Sequence, residues 1–311
     1  MLNKIRNRLL LSIIIGIGIF VALSIYANIN NMITAFCSFK WTYIPLIIFL
    51  IFLNYIFRFF KWDYYLKKIG LSINRKGSVI IFFSGLAMSV TPAKFGELLK
   101  SYLLKKLNGT EISRSAPIVF AERVTDLIGL IILASIGFST FAYGREVLLF
   151  VIVSILLAIL VIQSKKICLQ IIDLIAGVHF ISKFSENIHT LYESAYTLFT
   201  LKNLLIAVLL SMISWFFECL ALFFVLKGFN MDVSLLASMF VFSFSTIAGV
   251  LSMIPGGLGM TEGSMTWLLI IDGTPKEIAV GATLVIRSCT LWFGVLVGLM
   301  TLYSYRTKFE G

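Results

Sequence analysis

The sequence predicts an all-α polytopic membrane protein, with about six full spans and two re-entrant helical hairpins arranged as an inverted repeat. Three observations carry this. Of 311 residues, 59% are hydrophobic and 13% charged, and the mean hydropathy is +0.99; soluble domains have about 45–50% apolar and about 25% charged residues. Two apolar stretches are broken by proline and glycine at the same spacing, Pro92 to Gly96 and Pro255 to Gly259. Lysine and arginine divide unequally between the connections, as the positive-inside rule requires of a membrane chain.

Lys4, Arg6 and Arg8 precede an apolar run over 9–27. The run is longer than the roughly 7–15 residues of a signal-peptide core and lacks a convincing cleavage site, so it reads as a retained span with a cytoplasmic N-terminus. Residues 43–60 form the second span. Trp41, Trp62, Tyr64 and Tyr65 are expected at the membrane interface, and Lys61, Lys67, Lys68, Arg75 and Lys76 in a cytoplasmic connection. Residues 78–90 are apolar but short: at about 1.5 Å per residue they reach about 20 Å, against a hydrocarbon core of about 30 Å. Pro92 lacks a backbone N–H and pushes its predecessor out of the helical region. The chain then returns over 93–104 to Lys105 and Lys106, which makes a hairpin that enters from the cytoplasm.

Spans over 116–140 and 147–162 follow, joined by an external turn at 143–146. Region 164–202 mixes polar and apolar residues. Phe184, Ile188, Leu191, Ala195 and Leu198 recur at helical spacing, which predicts an amphipathic connector on the cytoplasmic surface. Residues 203–226 are a span. A second hairpin runs over 235–251, through Pro255, Gly256 and Gly257, and back to 271; Asp272-Gly273-Thr274-Pro275 is a turn. The last span covers 278–303, and Arg306 and Lys308 place the C-terminus in the cytoplasm.

With both hairpins re-entrant, 17 lysines and arginines fall inside, 4 outside and 5 in membrane segments; with each hairpin as a single crossing, the split is 12 against 9. The rule favours the hairpins. The first then enters from the cytoplasm and the second from outside, so repeat 1 (about 42–140) and repeat 2 (about 203–303) are related by inversion within one membrane domain, 1–311. Arg123 lies 31 residues after Pro92 and Arg287 lies 32 after Pro255, which extends the correspondence. Inverted repeats whose broken helices meet near the midplane are a transporter device.

The charges within full spans include Glu122, Arg123, Asp126, Glu218 and Arg287. Central and facing lipid, they would cost roughly 12–17 kcal/mol together. They therefore pair, or line a wet cavity, or both. Lys94, Glu97 and Lys100 share one side of the helix after Pro92, and Glu262 sits near the second tip. The functional reading is a groove for a charged head group, in which Arg123 and Arg287 face a phosphate; the structural reading is an ion-pair network tying the repeats together. The glycines at 256, 257 and 259 either form an anion-binding nest or let helices pack. Gly294 and Gly298 make a small-residue packing face.

Other chemistries lack their motifs. There is no phosphate-binding Gly-rich loop for ATP, no Gly-x-Ser-x-Gly elbow and no His-Glu-x-x-His. Cys37, Cys168, Cys219 and Cys289 make no Cys-x-x-Cys pair, and His179 and His189 have no carboxylate pattern, so no metal site or cofactor is expected. The net charge of +11 points to cytoplasmic loops and anionic lipid, not nucleic acid.

Three motifs in order, Thr91-Pro92-Ala93-Lys94-Phe95-Gly96-Glu97-Leu98-Leu99-Lys100, Glu122-Arg123-Val124-Thr125-Asp126 and Pro255-Gly256-Gly257-Leu258-Gly259-Met260-Thr261-Glu262, resemble the lysylphosphatidylglycerol synthase transmembrane-region family over nearly the whole chain. The family often has Gly and Arg at the positions of Ala93 and Lys94, and Arg at that of Lys100; charge is kept, but a two-point grip on phosphate is weakened. The resemblance implies a flippase-like function in the cell membrane, with a phospholipid or polyprenyl-linked lipid as substrate and no ATPase of its own. Aminoacyl transfer is not expected, since the chain ends at Gly311 without the soluble domain that carries it. A membrane enzyme acting on a lipid phosphate or glycolipid, or a scaffold subunit, are the alternatives. A homo-oligomer is compatible with the sequence.

Overall fold

The computed structural model describes residues 2–91, 96–137, 149, 153 and 185–305. The span expected over 147–162, residues 164–184 of the connector, and Pro92, Ala93, Lys94 and Phe95 at the first hairpin tip lie outside them. Every regular element among the described residues is helical.

Helix α1 (Leu2–Tyr26) turns by 96° into α2 (Ile29–Ser38). Asn28 makes the turn: its φ is +65° and its side-chain oxygen accepts from the Asn30 amide. Helix α3 (Ile44–Lys68) runs eight residues past its expected end. Helix α4 (Arg75–Leu86), started by an Asn74 cap, is 12 residues long, or about 18 Å, too short to cross a bilayer. It packs against α5 (Leu99–Asn108), which Gly109 closes in the left-handed region. Helix α6 (Ile112–Gly137) is followed, past the undescribed stretch, by α7 (Ser185–Leu198) and α8 (Leu201–Gly228). Helix α9 (Leu235–Leu251), capped by Ser234, folds back through Pro255–Gly257 onto α10 (Met260–Ile271). Helix α11 (Lys276–Arg287) passes through a π turn at Ser288–Trp292 into α12 (Phe293–Ser304). Among the described residues, 41–68, 201–228 and 276–304 are long and apolar enough to cross a membrane.

Packing pairs the elements across the two halves. Helices α3 and α8, which open the halves, make the most extensive contact. Helix α6 packs on α9 where Gly137 meets the Leu236 carbonyl and Phe240, and α12 packs on α4 where Gly298 meets the Ala87 backbone. The helix after each hairpin thus leans on the first arm of the other hairpin, and a glycine allows the approach each time. The expected packing face at Gly294 and Gly298 is present in this form.

Three expectations need correction. Trp62 and Tyr65 are not interfacial: both are fully buried, whereas Trp41 is 58% exposed. Lys61 is not in a loop: it lies within α3 and is 1% exposed. Burial is possible because α3 continues through the interior and Lys61 finds partners on α6 and α8. Among the described side chains of α7, which docks on α6, Tyr192, Ser194 and Leu198 are buried, while Leu191 of the expected apolar stripe is exposed.

Candidate functional site

The polar residues of the interior begin as a stripe on α3. Asn54, Arg58, Lys61 and Tyr65 recur at four, three and four residues, the spacing of one helix face, and all are buried. Asn54 donates to the Ser214 carbonyl of α8 at 2.9 Å. Helix α6 presents Glu122, Thr125 and Asp126 to the same region, with Arg123 at their edge. Helix α5 brings Lys100, and Glu97 lies one turn before it.

These groups form one connected network. Lys61 Nζ donates to Asp126 Oδ1 at 2.5 Å, to Ser211 Oγ at 2.7 Å, and at longer range to Thr125 Oγ1 and the Glu122 carbonyl. Lys100 pairs with Glu122 and lies 3.5 Å from Glu97, its ammonium 4.7 Å from the Trp62 ring centroid. Arg123 donates to Glu97 at 3.0 Å and reaches Asp126 Oδ2 at 3.3 Å; Arg58 lies 3.6 Å from Glu97.

The second half carries a smaller counterpart. Glu262 caps α10 by accepting the Gly259 amide at 2.6 Å through one oxygen, and accepts Arg287 Nε at 2.5 Å through the other. Arg287 also donates to the Gly256 carbonyl at 2.8 Å. In each half, then, an acid just after the hairpin tip is held by an arginine on the following helix. The separation is 26 residues for Glu97 and Arg123, and 25 for Glu262 and Arg287.

A cavity of about 340 Å³ opens beside these pairs. Both tips line it, Ser89 and Thr91 from the first and Gly256, Gly257 and Thr261 from the second. Its charged lining is Arg58, Arg123, Asp126, Glu218 and Arg287, with Tyr55, Phe120, Trp215 and Phe242 as aromatic walls. Glu97, Lys100, Glu122 and Glu262 stand behind this lining and hold it. Arg123 side-chain exposure is 20%, and its Nε has no hydrogen-bond partner among the described residues. Among the described residues the interior set is balanced: Arg58, Lys61, Lys100, Arg123 and Arg287 against Glu97, Glu122, Asp126, Glu218 and Glu262.

Of the residues singled out from sequence, Arg123, Asp126, Glu218 and Arg287 meet at one cavity, while Lys94 and Pro92 lie outside the described residues. Gly96 is placed by Thr91, whose Oγ1 accepts its amide at 2.7 Å and donates to the Met88 carbonyl. The Gly256–Gly259 turn is not an open anion nest: the Gly257 amide goes to the Ile254 carbonyl and the Gly259 amide to Glu262. The positive φ values of Gly256, Gly257 and Gly259 serve the turn, and a side chain at Gly257 would meet Gly249 of α9 and Thr261 of α10. Sequence reasoning missed Arg58 and Lys61 as site residues. Their signal was the polar stripe at 54, 58, 61 and 65.

The family model described as Lysylphosphatidylglycerol synthase TM region matches residues 13–298. Similar proteins include a "UPF0104 membrane protein" of Methanothermobacter thermautotrophicus, 26% identical over 306 residues, which takes in 91% of this chain and 90% of the relative. One of Methanocaldococcus jannaschii is 26% identical over 69% of this chain and 92% of its own length. One of Pyrococcus horikoshii is 23% identical over 93% and 94%.

Proposed function

This chain belongs to the Lysylphosphatidylglycerol synthase TM region family of multi-pass membrane proteins, and from that membership and the cavity we infer that it is a lipid translocase. A lipid head group enters between the hairpin tips while its acyl or prenyl chains stay in the bilayer. Arg123 and Arg287 hold its phosphate, and no chemical bond of the lipid changes. The observation that carries this reading is that Arg123 and Arg287, each steadied by the hairpin acid of its own half, line one cavity together with both tips.

The pairing of α6 with α9 and of α12 with α4 supports an inverted repeat, since an internal two-fold relation generates contacts in such exchanged pairs. On this reading both termini are cytoplasmic, the cell membrane is the site of action, and the hairpins dip in from opposite faces. An arginine already held by a carboxylate is oriented before the head group arrives, so less freedom is lost on binding. The buried acids keep the empty cavity near neutrality, and an incoming phosphate takes the remaining donors of the fork.

The test is reconstitution into phosphatidylcholine vesicles carrying a trace of fluorescent phosphatidylglycerol, with the outer leaflet quenched to read exchange. Removing either guanidinium outright takes a charged contact from a buried acid, so the informative variants are R123K and R287K, which keep the charge and lose the planar fork. Each is expected to fold and to slow exchange at least about tenfold, the equivalent of about 1.4 kcal/mol. Exchange at the wild-type rate in both variants would remove the arginines from the reading.

A further inference from the structure

Three charges stand in alternating order from the interior to the cavity, the Lys61 ammonium, Asp126 and the Arg123 guanidinium, and beyond them lies the space where the preceding reading puts a phosphate. Asp126 uses Oδ1 for Lys61 and Oδ2 for Arg123. Arg123 and Asp126 line the cavity, whereas Lys61 stands behind them at 1% exposure. Lys61 and a phosphate in that space therefore act on each other through two shared partners.

We propose that Lys61 is the proton-coupling residue of this cavity, so that an anionic head group and a proton on Lys61 Nζ bind cooperatively. The inference rests on the reading of the cavity as a phosphate site. When Lys61 is protonated, Asp126 is balanced from behind, and Arg123 turns part of its fork to the head group. When the proton leaves Nζ for water and the lone pair stays on nitrogen, Asp126 keeps the Ser211 hydroxyl but has Arg123 as its remaining charged contact, and draws the guanidinium off the phosphate. By linkage, the head group raises the proton affinity of Lys61 by the factor by which the proton raises head-group affinity.

Lys61 is the member of the network suited to this. Arg58 and Arg123 do not release protons in proteins. Lys100 lies between two carboxylates, Glu122 and Glu97, and over the Trp62 ring. Lys61 has one carboxylate, itself shared with Arg123, and its other acceptors are the neutral oxygens of Ser211, Thr125 and the Glu122 backbone. Facing it from α6 are Glu122, Arg123 and Asp126; on its own helix Arg58 and Tyr65 lie one turn away, and α8 adds Ser211 with Glu218 farther along at the cavity. Of the two lysines, Lys61 is therefore the one with fewer carboxylate contacts. Its contacts tie α3 and α6 to α8, so the same proton also bears on the seam between the two halves.

The experiment is titration calorimetry of the detergent-solubilised full chain with glycerophosphoglycerol, a phosphodiester that does not ionise near neutral pH. It is run from about pH 6 to about pH 10 in buffers of different ionisation enthalpy. The expected result is uptake of up to one proton per phosphodiester, with affinity falling by up to about tenfold per pH unit at the alkaline end. K61R, which keeps the charge at every pH, binds without proton uptake; K100R retains the wild-type pH dependence. Binding that is pH-independent in the wild type, or pH dependence abolished by K100R and kept by K61R, overturns the proposal while leaving the phosphate cavity standing. No binding of the phosphodiester at any pH overturns the cavity reading as well.

Discussion

Glu262 shows how a buried charge is made tolerable: one oxygen closes the first turn of α10 through the Gly259 amide, and the other holds Arg287. Both lone-pair sets have donors, so the desolvation cost of the carboxylate is offset where it arises. Lys100 and Glu122 follow the same logic without a helix cap. Their pairing carries a clear expectation for stability. K100M leaves Glu122 buried without its partner and should cost about 3–5 kcal/mol, whereas the double substitution K100M/E122M, which removes both charges, should cost far less. Unfolding of the two purified variants in detergent checks this; equal losses in K100M and K100M/E122M would mean that the stranded Glu122 carboxylate carries no penalty. The candidate acids and arginines were legible because charge is rare inside an apolar run. Lys61 was not, because Arg58, Lys61, Trp62 and Tyr64 at the end of a largely apolar stretch have the composition of a membrane exit, while contacts such as Asp126 and Ser211 keep Lys61 inside.

The hairpins rest on a different balance. Helix α4, at 12 residues, is limited by length, and its end must lie against something that admits bare backbone. That surface is the Gly298 edge of α12, where a side chain would run into Ala87. The reciprocal contact is Gly137 of α6 against the Leu236 carbonyl and Phe240 of α9. Overpacking such a contact costs about 1–3 kcal/mol. G298L and G137L should each lower the unfolding midpoint and slow lipid exchange together, since each moves a hairpin arm; G18L, where a side chain meets open space, is the control expected to do neither. Exchange unchanged in G298L and G137L alongside a lowered midpoint would separate hairpin seating from transport. Proline, glycine and segment length announced these elements in advance. The helix each arm leans on was not announced, because a lone glycine marks close approach and does not name the partner.

Across the whole molecule, the helices after the hairpins exchange partners, and the opening helices α3 and α8 meet at the centre with Asn54, Lys61 and Ser211 between them. If the halves are inverted, the two polar turns that follow the hairpins lie on opposite faces of the membrane. A cysteine at Asn108 should then react with a membrane-impermeant thiol reagent only from the cytoplasmic side, and one at Lys276 only from outside, in a chain otherwise free of cysteine. Reaction of both from one side would contradict the inverted arrangement and the 17-to-4 division of basic residues behind it. Composition, segment length and the placement of proline, glycine and basic residues were enough to establish the helical membrane class, the two breaks and the candidate charges, because transfer into lipid acts on each segment alone and is written in local order. Which charges meet was decided by packing. Lys61 faces Asp126 across 65 positions and Ser211 across 150, and Arg123 and Arg287 share a cavity, because helices distant in the chain pack together, and ion pairing depends on distance in space, which no local spacing records.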